Sequence, residues 1–399
     1  MKPLVSLVTA LILSTTAFAA ESWTQWGGEG RDFTVKARKL SQDWGESGPP
    51  KLWERKLGGG FSSIISDGKT LYTHYRNESK EIVVALDPNS GETKWEVAYP
   101  APIPKVQWLS TQYGEGPNAT PLLMDGKIIT LGFMGHLTCV DTKTGTMEWQ
   151  HFLGESHDVK MLYFGHSASP LAVGKNVVVV AGGLLAFDLK TGDLAWENRE
   201  HEGSYGSPIL HKNGQIVTPI DSHLAGFDPK NGKLLWAVEH KNQWGTLLNS
   251  PVVDDEGRIA LSAGQVGTLL VDPTKEEKTA WVTKATQVAH SNIVRDGEWL
   301  YASTGDANAF LTATSIKDGS QAWKKRGFAR SNLIKVGDQY ILLDFDAKLA
   351  LLELSGKEMK ILTQTTVGEE KTWTPPTLLD TTLYLRDEDR IWALDLSAK

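Results

Sequence analysis

Ala85-Leu86-Asp87-Pro88-Asn89-Ser90-Gly91-Glu92-Thr93-Lys94-Trp95 decides how this chain folds. A small residue, an apolar residue and an acid end one short apolar run. A tight turn reaches a glycine, and a tryptophan follows four residues later. Three other stretches repeat both spacings: Cys139-Val140-Asp141 with Gly145 and Trp149, Ala186-Phe187-Asp188 with Gly192 and Trp196, and Gly226-Phe227-Asp228 with Gly232 and Trp236. Each reads as strand, turn, strand, with no room for a helix.

Weaker copies continue the series. Val271-Asp272 leads to Trp281 with one extra residue, and Ala313-Thr314-Ser315 keeps Gly319 and Trp323 without the acid. Leu352-Glu353 has no tryptophan, and Ala393-Leu394-Asp395 closes the sequence. Upstream of these motifs lie apolar runs broken by Asp125-Gly126, Asn213-Gly214, Glu256-Gly257 and Asp296-Gly297. Asp-Gly and Asn-Gly pairs accept positive φ at both central positions and so turn hairpins. Each unit is therefore a four-stranded meander, and a period of about 40 to 50 residues in such units predicts a radial array. Lys51-Leu52-Trp53-Glu54 has no inner strands before it, and the segment from Thr377 to Asp395 has no outer strand after it. Joining them predicts an all-β, eight-bladed propeller whose closure removes two exposed sheet edges.

The repeated residues have structural work to do. Asp87, Asp141, Asp188 and Asp228 can accept hydrogen bonds from turn amides, and the glycines supply positive φ. Trp95, Trp149, Trp196 and Trp236 are expected to lie between neighbouring blades, each burying roughly 200 Å² of ring. An acid in every copy is a structural device, because chemistry needs one site.

Lys plus Arg number 41 against 48 Asp plus Glu, a net charge of −7 that argues against a nucleic-acid partner. Lys2, the apolar run Leu4 to Leu13 and Ala17-Phe18-Ala19 read as a secretory signal peptide over residues 1–19. That run is too short to span a bilayer, so a soluble monomer in the periplasm or outside the cell is expected. Residues 20–50 read as an N-terminal extension and 51–399 as one propeller domain. Cys139 is the only cysteine, which excludes an internal disulfide and leaves none for lipid attachment near the mature start.

The spacing Ala-x-Asp-x-x-x-Gly-x-x-x-Trp resembles the tryptophan-docking repeat of the pyrroloquinoline quinone (PQQ)-like propellers. The match runs from about Trp53 onward, and Trp23-Thr24-Gln25-Trp26-Gly27-Gly28 looks like the start of secreted members. That superfamily includes quinoprotein alcohol dehydrogenases and the non-enzymatic BamB-like outer-membrane assembly propellers. A quinone site would imply a vicinal cysteine pair and Glu, Asn and Asp ligands for calcium. Cys139 stands alone and those ligands match no positions here, so neither PQQ nor calcium is expected. BamB-like lipoproteins carry an acylated cysteine where this chain has Ala20-Glu21.

Strand order puts the Asp-Gly hairpins on one face and the longer, variable linkers on the other, where binding is expected. Residues just before the innermost strands should ring the channel mouth: Phe61, Asn118, His166, Tyr205, Asn249, His290, Arg330 and Trp373. Trp108 and Tyr113 from the longest linker and Trp244 complete the candidate set. His166 and His290 precede innermost strands three blades apart and would face each other; as a metal pair they lack a third ligand at short spacing. Arg330 could clamp an anionic ligand or pair with a nearby acid. The expected function is a non-catalytic exported scaffold that binds an envelope or extracellular protein, or a glycan, through the linker face. The alternatives are a PQQ-dependent dehydrogenase and a carbohydrate-binding or carbohydrate-cleaving propeller.

Overall fold

A computed structural model describes residues 22–36, 39–107, 109–305, 309–369 and 371–398. The expected signal peptide and Trp108 lie outside them. Eight antiparallel four-strand units radiate from a central channel, one of them extended by a fifth strand. Blade 2 is typical, with Leu122–Met124 innermost, then Lys127–Leu131, His136–Asp141 and the outer Met147–Phe152. Its middle strands are buried on both faces because each blade packs against two neighbours. The outer strand is only partly buried along its length. A single helical turn, Leu153–Ser156, is the one α-helix among the described residues.

Closure occurs as the chain ends suggested. Lys51–Lys56 forms the outer strand of blade 8 and pairs antiparallel with Arg390–Asp395, in a register from Lys51 opposite Leu394 to Lys56 opposite Arg390. The last three strands of that sheet come from the other end of the chain.

Every pairing of a third strand with an outer strand slips by one residue beside the motif. The bulge re-aims the outer strand, as bulges do, and sets the tryptophan directly opposite the small residue. Ala85 faces Trp95, Cys139 faces Trp149, Ala186 faces Trp196 and Gly226 faces Trp236. That pairing explains why the first motif position is small. The indole N–H then reaches the next blade: Trp95 donates to the Thr142 carbonyl, Trp149 to Leu189 and Trp196 to Pro229, at 2.9, 2.9 and 3.1 Å. The motif acid closes the turn, with Asp141 Oδ1 accepting from the amides of Lys143 and Thr144.

Residues before Lys51 are part of this assembly. Trp23 bridges to Ser66 of blade 1, and the Leu123 amide of blade 2 donates to the Thr24 carbonyl. Thr34–Val35 then adds a parallel strand to Lys335–Val336 of blade 7, and Leu40 bridges to Ser397. These contacts lie at the hairpin ends of the innermost strands, so the segment crosses the channel there. Trp23, Phe33, Leu40 and Trp44 are buried in the largest apolar cluster. No helix among the described residues is long and apolar enough to cross a membrane.

Candidate functional site

The eight sheets surround the channel with their innermost strands, and space remains at the centre. A cavity of about 1240 Å³ occupies it. Its floor comes from the crossing segment, through Trp26, Arg31 and Phe33, and its mouth from the linkers on the opposite face. The channel is thus a blind pocket.

The mouth is a continuous group of rings. Trp373 sits at its hub, donating from its indole N–H to the His290 carbonyl at 3.0 Å. Ring centroids of Tyr113, His290 and Phe61 lie 5.4, 5.3 and 5.7 Å from that of Trp373. Tyr113, brought inward by the blade 1 to blade 2 linker, also meets Phe164 at 5.2 Å and His290 at 5.9 Å. The Tyr205 hydroxyl accepts from the Phe164 amide at 3.2 Å, and burial raises its pKa. Trp244, 72% exposed, and Tyr163, 53% exposed, stand at the rim.

Of the residues expected at the mouth, Phe61, Tyr113, Asn118, Tyr205, Asn249, Trp244, His290 and Trp373 line the cavity. The Asn118 Oδ1 atom is buried without a hydrogen-bond partner. His166 departs from expectation. It is fully buried beside Gly135, off the cavity wall, because its amide is tied to the Phe133 carbonyl and that bond turns the ring into the blade. It therefore does not face His290 across the mouth. With both ring nitrogens unpartnered, burial lowers its pKa to about 4. Arg330 does not line the cavity but stacks behind it, its guanidinium 5.1 Å from the Phe345 ring and 5.8 Å from Trp373.

The sequence reading missed the floor. Arg31 lies 139 residues from its partner Pro170, and nothing local to it signals a place in the channel. Lys324 on an outer strand and Lys284 just after one also line the cavity and were missed. Among the described residues no cluster of three His, Cys, Asp or Glu could hold a metal, and no described lining residue is an acid. This donor set does not fit a calcium-supported quinone, since calcium takes hard oxygen ligands, carboxylates foremost. Cys139 is buried opposite Trp149, with its thiol pKa pushed up to about 12 by burial.

Comparison with known proteins agrees with the architecture. A family model described as outer membrane protein assembly factor BamB matches residues 79–325. The outer membrane protein assembly factor BamB of Yersinia pestis is 24% identical over 279 residues, 66% of this chain and 64% of that protein. The quinohemoprotein alcohol dehydrogenase ADH-IIG of Pseudomonas putida is also 24% identical over 279 residues, 62% of this chain but 37% of its own length. The match thus spans less than two thirds of either relative. Two solved structures share the fold. BamB from Moraxella catarrhalis superposes with a TM-score of 0.64 at 14% identity, covering 87% of this chain and 99% of that one. A europium-containing methanol dehydrogenase gives 0.74 at 11% identity, covering 95% and 99%.

Proposed function

This chain belongs to the family described as outer membrane protein assembly factor BamB, and from that premise we propose that it is a non-catalytic envelope scaffold. It would hold a protein partner through the linker face after export directed by residues 1–19. The observation that carries this reading is the asymmetry of the two faces. One presents the same Asp-to-Gly turn in blades 1 to 4, whereas the other gathers exposed aromatic side chains, Trp244 and Tyr163 foremost. Exposed aromatics that surround a pocket are typical anchors of protein recognition.

The test is site-specific crosslinking in cell envelopes from a photoreactive side chain at position 244 or 163, with position 213 on the hairpin face as reference. A discrete adduct from the first two positions, lost on Tyr113→Ser, supports the scaffold. Equal labelling from all three positions would end it.

The dehydrogenase reading draws on the relatives of that class and on the central cavity. It predicts dye-linked alcohol oxidation and a thermal shift with added PQQ and calcium, which the acid-free lining argues against. A glycan reading draws on the same rim aromatics and predicts oligosaccharide binding lost on Trp244→Ala.

A further inference from the structure

Arg31 is the unexplained residue of the cavity. It is 9% exposed, and its guanidinium donates only to neutral acceptors: Gln25 Oε1 at 2.9 Å, the Pro170 carbonyl at 3.0 Å and the Ser169 carbonyl at 3.4 Å. Its Nε has no partner, and neither does the indole N–H of Trp26, which lines the same cavity. Among the described residues no carboxylate forms an ion pair with it. A buried cation is costly unless something neutralises it. Burial lowers its pKa to about 9, so it remains charged at neutral pH.

The wall extends the pattern. Lys284 and Lys324 are charged lining residues, and in a chain with net charge −7 the described lining contains no Asp or Glu. A low-dielectric pocket lined by one sign of charge concentrates ions of the other sign. Apart from these two lysines, the space above the floor is bounded by rings and uncharged groups, as a pocket for an organic body requires.

We propose that the central cavity binds a small organic anion, its carboxylate neutralised by Arg31 at the floor and its apolar body held among the rings of the mouth. The protein itself supplies the countercharge, so no metal is needed. This site is independent of the partner reading, since a chain that captures no envelope protein would still bind the anion.

The experiment compares 2-naphthoate with its uncharged analogue 2-naphthamide on the full chain, by calorimetric titration in EDTA at low and high salt. The acid should bind at least tenfold more tightly than the amide, and this preference should shrink as salt rises. Charge reversal at the exposed rim, Lys284→Glu with Lys324→Glu, should weaken the acid several-fold and leave the amide unchanged. Arg31→Gln should reduce the preference to the few-fold that the rim lysines supply. Equal binding of acid and amide, no binding of either, or a tenfold preference surviving in a cooperatively melting Arg31→Gln chain would overturn the proposal. Should Arg31→Gln fail to fold, the rim variant decides: acid affinity unmoved by the reversal counts against the site.

Discussion

Gly145 is where Trp95 of the preceding blade docks. A Cβ added to Gly145 would meet the Trp95 ring at 2.8 Å, and the Trp95 indole N–H donates to the Thr142 carbonyl in the same turn. Glycine is required there twice over, by a φ of +69° and by the neighbour's ring. The same relation joins Trp53 to Gly91, Trp149 to Gly192 and Trp196 to Gly232, so the motif is an instruction for fastening adjacent blades.

Gly145→Ala should therefore cost about 2 to 3 kcal/mol, combining overpacking with strain at positive φ. Adding Trp95→Leu should recover part of that loss, because the clash partner is gone. A double-mutant cycle by urea denaturation measures the coupling; strictly additive costs would contradict docking.

Trp236 breaks the pattern. Blade 5 has Asp272-Pro273-Thr274-Lys275-Glu276-Glu277 in place of the turn with glycine, and the Trp236 indole N–H turns back to Gln215 Oε1 at 2.8 Å. Its ring then occupies the space over Gly226, where a Cβ would come within 2.3 Å of Nε1. Gly226→Ala should destabilise by about 2 kcal/mol, and the reverse exchange Ala186→Gly by about 1 kcal/mol or less. Chemical denaturation of the two variants gives the ranking directly.

Stability should fall as the solution is acidified from pH 7 to pH 5. His166 has a folded pKa of about 4 against an ordinary 6.5, because burial excludes its charged form. Between those values the unfolded chain binds a proton that the folded chain refuses, so this stability is full above pH 6.5 and lost toward pH 4. By pH 5 the loss from this residue is about 2 kcal/mol. His136, also lowered to about 4 by burial, and His74, lowered by burial and nearby Arg386 and Arg76, act in the same direction. Glu81, raised by burial against the pull of Arg76, acts in the opposite one. His166→Leu should thus flatten the pH dependence of the melting temperature without removing it.

Removing Lys51–Lys56 exposes the Arg390–Asp395 edge and the Trp392 and Tyr384 surfaces behind it. The truncated chain should melt less cooperatively and associate, as read by calorimetry and light scattering. Trp23→Ala, at 1% exposure, should cost about 3 to 5 kcal/mol by loosening the crossing segment.

Spacing alone was enough to count the blades and close the ring, because a repeat of period-two strands with fixed turn residues can bury its faces in few ways. It also located most of the mouth, since residues before innermost strands must converge on the axis. It could not foresee the one-residue slip that places Ala85 under Trp95, because a bulge adds no residue type of its own.

The amino-acid order by itself therefore determined the all-β propeller, its eight units and the face on which variation is concentrated. Only the tertiary structure decided that His166 turns into a blade and that Trp236 folds back on its own sheet. It also decided that Arg31 enters the channel floor without a carboxylate. Strand periodicity is local and survives in the sequence. The direction of a side chain depends on contacts between strands and linkers, and the company of the buried Arg31 on a segment more than a hundred residues away, which meet only when the blades assemble.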